Sequence, residues 1–233
     1  MKKVDIVDST NKYIKEHLID FDNFDSVYSP NQTEGKGRGN HTWISEPNKN
    51  VAFSMLINDS KYVKKFNLIS ILTGIVIANY LEGLGLQKVA LKWPNDVYVN
   101  GKKICGILLE GNLPHYLIIG VGINVNQTNF GELDATSIKN EVGFKIDPPL
   151  VAVDVADLLK DEIKALDVDL IDYVGRYEEL DYLANKTISF NHNNQILEGV
   201  ALGINPDGSL KVKVNNEIIS VLANEVNIVR EKE

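Results

Sequence analysis

Residues 68–80 constrain this chain more than any other segment. Phe66, Leu68, Ile69, Leu72, Ile75 and Val76 recur at helical spacing through residues 65–83, and apolar groups at that density are stable only when removed from water. A bilayer is the wrong solvent for them. A spanning helix needs about 20 apolar residues, and Ser70, Thr73 and Gly74 interrupt this run. The segment therefore predicts a long buried helix ending near Gly83 or Gly85. Such a helix must be covered by other elements, and the neighbouring sequence supplies a sheet. Residues 51–57, 89–94, 96–99, 103–109 and 116–125 read as strands, with Pro94 interrupting the second. Asn100 and Gly101 join two of them as a type I′ hairpin turn, since both tolerate positive φ.

Upstream, Ser9 and Thr10 suit the cap of a first helix that carries Ile14 and Leu18 on one face. Ser26, Val27 and Tyr28 suggest a strand, followed by a polar, glycine-rich loop over residues 31–41. Downstream, Asp147, Pro148 and Pro149 open a helix with Leu150, Val153, Leu158, Leu159 and Ile163 as its stripe. A shorter helix is expected over about 170–183. Beyond Asn185 the pattern shortens to alternating segments at 187–190, 195–202, 210–214 and 217–222. Turns at Asn193 and Asn194, Asp207 and Gly208, and Asn215 and Asn216 separate them, which predicts a small antiparallel β-barrel. The expected fold is α+β: a mixed β-sheet with flanking helices over residues 1–184, and a β unit over 185–233.

Charge and cysteine usage exclude several functions. The 24 Lys and Arg are outnumbered by 32 Asp and Glu, for a formal net charge of -8. No global positive field draws such a chain to nucleic acid or to an anionic membrane. Basic residues that cluster must then be local devices for a small anion. Cys105 is the one cysteine, so no internal disulfide forms, and with no apolar secretory segment at the N-terminus a cytoplasmic location is expected. Cys105 itself reads as a small buried apolar residue rather than a nucleophile.

Three segments carry chemistry. Gly35-Lys36-Gly37-Arg38-Gly39 offers backbone N–H groups and two fixed cations, which suits a phosphate or carboxylate; a flexible surface loop has the same composition. It matches neither the Walker A pattern nor the dinucleotide fingerprint. Lys92-Trp93-Pro94-Asn95-Asp96 places a lysine in an apolar strand, to be neutralised by an anionic substrate or to lie along a sheet edge with its charge in water. Gly120-Val121-Gly122-Ile123-Asn124 puts glycines inside a strand, for close approach of a ligand or for a bulge.

Taken in order, these segments resemble the biotin protein ligase family from Asp8 to the C-terminus. The matching elements are Ser9-Thr10-Asn11, Gln32, the Gly35–Arg38 loop with Trp43, the block from Lys92 to Asp96, Lys103-Ile104-Cys105-Gly106-Ile107-Leu108-Leu109-Glu110, and the Gly120–Asn124 strand. The resemblance implies a class II synthetase-like catalytic domain with an SH3-like C-terminal barrel. It implies an ATP-dependent ligase that activates biotin as biotinyl-5'-AMP and passes it to a lysine of a biotin carboxyl carrier protein of a biotin-dependent carboxylase. Biotin would be held by Ser9, Thr10, Asn11, Gln32, Lys36, Gly37, Arg38, Lys92, Gly106, Ile107 and Gly122. ATP would be held by Gly35, Lys36, Arg38, Asn95, Lys103 and Asn124. Lys92 and Arg38 would act in catalysis, neutralising two anions that must meet. Mg²⁺ would arrive with ATP, and no protein ligand for it is assigned.

Three departures from the family pattern stand out. Lys36 replaces a more usual Arg, Asn40 and His41 replace Gly and Arg, and residues 135–137 offer no aromatic ring for adenine. The family's bifunctional members carry an N-terminal DNA-binding domain. Here the pattern begins at Asp8, so the monofunctional type is expected, without nucleic acid or membrane partners. Analogy with relatives makes a homodimer through the central sheet the oligomer to look for. The competing readings are a lipoate or octanoate ligase of related fold, and a non-catalytic biotin-binding module.

Overall fold

A computed structural model of the chain describes residues 1–166, 172–192, 195–223 and 230–231. Seven strands make the first sheet: β1 (Lys2–Lys3), β2 (Ser26–Tyr28), β3 (Val51–Ile57), β4 (Val89–Lys92), β5 (Asp96–Val99), β6 (Lys102–Asn112) and β7 (Tyr116–Ile123). Their spatial order is β1-β2-β3-β7-β6-β5-β4. Every neighbouring pair is antiparallel except β1 with β2. The helices are α1 (Thr10–Glu16), α2 (Ser60–Val63), α3 (Phe66–Gly83), α4 (Ile138–Val142), α5 (Pro148–Ala165) and α6 (Tyr173–Leu180).

Side-chain alternation sorts the sheet into two faces. On β3, Phe53, Met55 and Ile57 enter the main core against α3 and α5, while Leu56 joins Ile14, Phe21, Val27 and Ile118 under α1. On β7, Leu117, Ile119, Val121 and Ile123 point to the main core. Helix α3 is long and apolar enough to cross a membrane. It lies instead against α5, α6, β4, β5 and β6, and Leu72, Ile77 and Leu81 have no exposed surface. Its interrupting hydroxyls are satisfied inside the protein: Thr73 donates to Ile69 O at 2.7 Å and Ser70 to Pro94 O at 3.0 Å.

Strand β3 and the β5–β6 hairpin appear where the sequence placed them. The hairpin turn has Asn100 at φ 51° and Gly101 at φ 79°, as a type I′ turn requires. Strand β7 stops two residues earlier than expected. The α5 stripe needs correction. Leu150, Val153 and Leu158 are exposed, and the face that packs on α3, β3 and β2 is Val151, Ala152, Val155, Ala156, Leu159 and Ile163. The two alanines let the helix backbone approach its neighbours, and that small-residue face outranks the larger apolar groups. Ser9 is the N-cap residue of α1, but its side chain makes no capping hydrogen bond. The expected helix at 170–183 is described as the shorter α6. Leu170 and the turn residues Asn193 and Asn194 lie outside the described residues.

The second sheet holds β8 (Thr187–His192), β9 (Gln195–Ile204), β10 (Leu210–Val214), β11 (Glu217–Val221) and β12 (Arg230–Glu231) in the order β11-β10-β9-β8-β12, all antiparallel. Its apolar side chains Ile188, Phe190, Ala201, Ile204 and Val212 run into one core with Trp93, Tyr177 and Leu180. Trp93, 2% exposed, also donates its indole N–H to Gly208 O at 3.1 Å. The residue at the start of the Lys92–Asp96 block is thus next to a tryptophan that joins the two sheets.

Candidate active site

Register explains why a cavity forms where it does. One row across five strands reads Lys92, Asp96, Gly106, Gly122 and Ala52. The next row toward the α1 side reads Leu108, Gly120 and Ser54. These residues share the face opposite the main core, and most have small side chains or none. The sheet therefore sinks into a floor with little on it, and a cavity of about 270 Å³ lies above. A β-bulge between the Val97 and Tyr98 pairings shifts β6, so that Lys103 pairs with Tyr98 while Cys105 pairs with Val97. The bulge turns Lys103 toward the cavity and leaves Ile104 and Cys105 in the core.

The walls have two chemical ends. Ser9, Thr10, Asn11 and Gln32 form an uncharged polar end. Thr10 N–H donates to Gln32 Oε1 at 2.9 Å, and Ser54 lies behind, 2.7 Å from Thr10 Oγ1 and 2.5 Å from Asn11 Oδ1. Lys36, Arg38, Lys92 and Lys103 bring positive charge, with Gly37, Asn95, Ile107 and His41 also on the wall. Lys103 Nζ is 2.7 Å from the Asp96 carboxylate. Lys92 Nζ lies over the rings of Tyr98 and Tyr182, at 5.4 and 5.2 Å from their centroids. Asn95 is fixed by donating to Ile107 O at 2.8 Å.

The glycine-basic loop is folded as a small hairpin. Gly37 N–H donates to His41 O, Trp43 N–H to Gly35 O, and His41 N–H to Arg38 O across a turn with Gly39 at φ 59°. Arg38 reaches over to donate to Ala223 O, just past β11. Burial lowers its pKa and the charge of Asp96 opposes that shift; a guanidinium stays charged throughout. Trp43 lies across the glycine floor. A Cβ on Gly122 would come within 2.4 Å of its indole, and one on Gly106 within 3.1 Å. Its indole N–H is buried without a hydrogen-bond partner among the described residues.

Gly122→Ala is expected to push the indole from this seat and to cost about 1–3 kcal/mol, as overpacking does. Gly106→Ala should cost less. Urea unfolding of both variants checks the ranking, and equal costs would show that the indole does not rest on Gly122.

Eleven of the residues singled out for biotin, together with Asn95 and Lys103, line this one cavity. Two of those expected at ATP do not line it. Gly35 lies beneath Trp43, where a Cβ would meet Trp43 O at 2.4 Å. Asn124 is 4% exposed and spends its amide on Thr136 O at 3.0 Å. Gly35 belongs to the hairpin that walls the cavity, where it accepts from Trp43 N–H, whereas Asn124 ties a loop outside the lining. Sequence reasoning missed Ser54, and it gave no role to Asp96 or to Glu110, which ends the matched element from Lys103 and accepts from Asn11 Nδ2 at 2.8 Å. Cys105 is fully buried, and burial pushes its thiol far above the ordinary range, opposed only in part by Lys103. Among the described residues, no group of three His, Cys, Asp or Glu gathers to hold a metal.

Fold and site define a mixed-sheet protein in which one cavity joins an uncharged polar end to a cluster of cations. The chain belongs to the Biotin/lipoate A/B protein ligase family, which residues 4–124 match, and residues 184–228 match the Biotin protein ligase C terminal domain. It is 27% identical to the Bifunctional ligase/repressor BirA of Escherichia coli (strain K12), over 96% of this chain and 72% of that protein. It is 25% identical to the Biotin--[acetyl-CoA-carboxylase] ligase of Mycobacterium tuberculosis, over 86% of this chain and 77% of that one. Among solved structures it resembles the Biotin protein ligase from Aquifex aeolicus in complex with biotin and ATP, with a TM-score of 0.88 and 26% identity, covering 99% of this chain and 98% of the other.

Proposed function

We propose that this protein is an ATP-dependent biotin protein ligase. One observation carries the reading: a single cavity joins the uncharged end at Thr10 and Gln32 to the cations Lys36, Arg38, Lys92 and Lys103 across a glycine floor. Biotin has the same layout. Its ureido ring carries one carbonyl and two N–H groups, which the uncharged end complements. Its acyl tail passes beside the Trp43 indole that covers Gly106 and Gly122, and its carboxylate reaches the cations.

The carboxylate oxygen attacks the α-phosphorus of ATP and pyrophosphate leaves, giving biotinyl-5'-AMP. Arg38, Lys92 and Lys103 offset the repulsion of two anions and the charge that builds on the phosphoryl oxygens. No side-chain nucleophile takes part. A lysine amine of a biotin carboxyl carrier domain then attacks the acyl carbon, and AMP leaves. The hairpin over residues 35–43 shields the mixed anhydride from water. Mg²⁺ enters with ATP in this reading, and we place the reaction in the cytoplasm. A lipoate or octanoate ligase has no use for the ureido partners, and a pure biotin binder has none for four cations.

The test is biotin-dependent pyrophosphate release from MgATP, with and without a carrier domain, followed by the carrier's mass. The expected result is a gain of one biotinyl group that needs both biotin and ATP. Activation of lipoate or octanoate but not biotin overturns the reading in favour of the sister activity. Biotin binding without adenylation overturns it in favour of a binding module.

A further inference from the structure

We infer that Ser54 and Glu110 are positioning residues that fix which cavity groups accept and which donate hydrogen bonds, and so select a cyclic urea. The inference rests on the proposed reading that biotin's ureido ring lies against Thr10 and Gln32.

The relay starts at Glu110 on β6. Lys15 Nζ lies 2.6 Å from its Oε1, and Asn11 Nδ2 donates to its Oε2 at 2.8 Å. Burial alone would raise its pKa, but the hydrogen bonds from Lys15 and Asn11 and the charges of Lys15 and Lys36 outweigh it and hold the carboxyl below its ordinary value. Glu110 is therefore an acceptor only. Leu108 O, a second acceptor, faces the same Asn11 nitrogen at 3.4 Å. Two acceptors on one side fix the orientation of the Asn11 amide, so that its Oδ1 faces Ser54 Oγ at 2.5 Å.

Two oxygens at that distance share a proton, and an amide oxygen brings none. Ser54 must supply it, and a hydroxyl has one proton to give. The 2.7 Å contact between Ser54 Oγ and Thr10 Oγ1 must then use the proton of Thr10. The other acceptor within reach of Thr10 is Gln32 Oε1 at 3.3 Å, whose orientation is set by the Thr10 backbone N–H at 2.9 Å. Ser54 Oγ at 2.7 Å is the nearer of the two acceptors and takes the Thr10 proton, so that proton points into the protein and the Thr10 lone pairs are left for a ligand N–H. Gln32 Oε1 is already engaged, so its Nε2 donates to a ligand carbonyl. An acceptor beside a donor is the complement of a urea edge. Gly120 makes room for the relay, since a Cβ there would lie 2.4 Å from Asn11 Oδ1.

The experiment is equilibrium binding of biotin and of two lactam analogues, each with one ureido N–H replaced by CH₂. They are compared on the unaltered protein, Ser54→Ala and Glu110→Gln. The unaltered protein should prefer biotin to one lactam by about tenfold, the worth of one well-made buried hydrogen bond. In both variants that preference should shrink to about twofold while the affinity for that lactam is kept. If biotin and both lactams weaken by one common factor, or nothing changes, Ser54 and Glu110 do not set the polarity and the inference falls alone. If the unaltered protein binds no biotin, the function reading falls and takes the inference with it.

Discussion

Lys103→Met should slow biotin adenylation by about two to three orders of magnitude, the usual cost of removing one preorganised charge from a site where negative charge builds. Lys103 owes its place to the bulge in β6, which turns it out of the core and onto the cavity wall. It lies 2.7 Å from Asp96. The variant thus loses a cation and also leaves a carboxylate facing two incoming anions. Repulsion from that carboxylate should be recoverable. Adding Asp96→Asn to Lys103→Met should restore about tenfold, because groups in contact do not act additively. Single-turnover formation of biotinyl-5'-AMP measures both. A Lys103→Met rate within about threefold of the unaltered protein would remove Lys103 from the catalytic set.

The second large effect is on stability. Trp93→Ala should lower the unfolding free energy by about 3–5 kcal/mol, the range for truncating a buried tryptophan. The ring is 2% exposed, sits in the core common to both sheets, and donates to Gly208 O. Trp93→Phe keeps most of the bulk and strands the carbonyl, so it should cost about 1–3 kcal/mol. Urea unfolding separates the two contributions. A loss under about 1 kcal/mol for Trp93→Ala would mean that the two sheets do not depend on this ring.

Much of the frame was legible in the sequence because its signals are local. Strand β3, the Asn100–Gly101 turn and helix α3 follow from periodicity and turn chemistry within a few residues. The α5 stripe was misread because size was taken for burial, and Ala152 and Ala156 face the core where Leu150 and Leu158 do not. In the site, the residue types at Arg38 and Lys92 pointed to an anion, whereas Ser9 and Gln32 were tied to a polar head group through the family resemblance. Ser54 did not announce itself, and Glu110, though it ends the matched element that starts at Lys103, was given no role. Their partner Asn11 is 43 and 99 positions away, and a serine in an apolar strand looks like any small residue until strand register places it behind Thr10. The glycines at 106 and 122 were read as room for a ligand. Part of that room belongs to Trp43.

The chain has two tryptophans, and Trp43 and Trp93 both line the cavity. One rests on the glycine floor beside Lys103, and the other is locked into the core under the second sheet. The protein's indole fluorescence therefore comes entirely from the neighbourhood of the site. A ligand that repositions the Trp43 ring or changes its polarity will alter the emission with no label attached, while Trp93, held in the core by its bond to Gly208 O, will report when the two sheets separate.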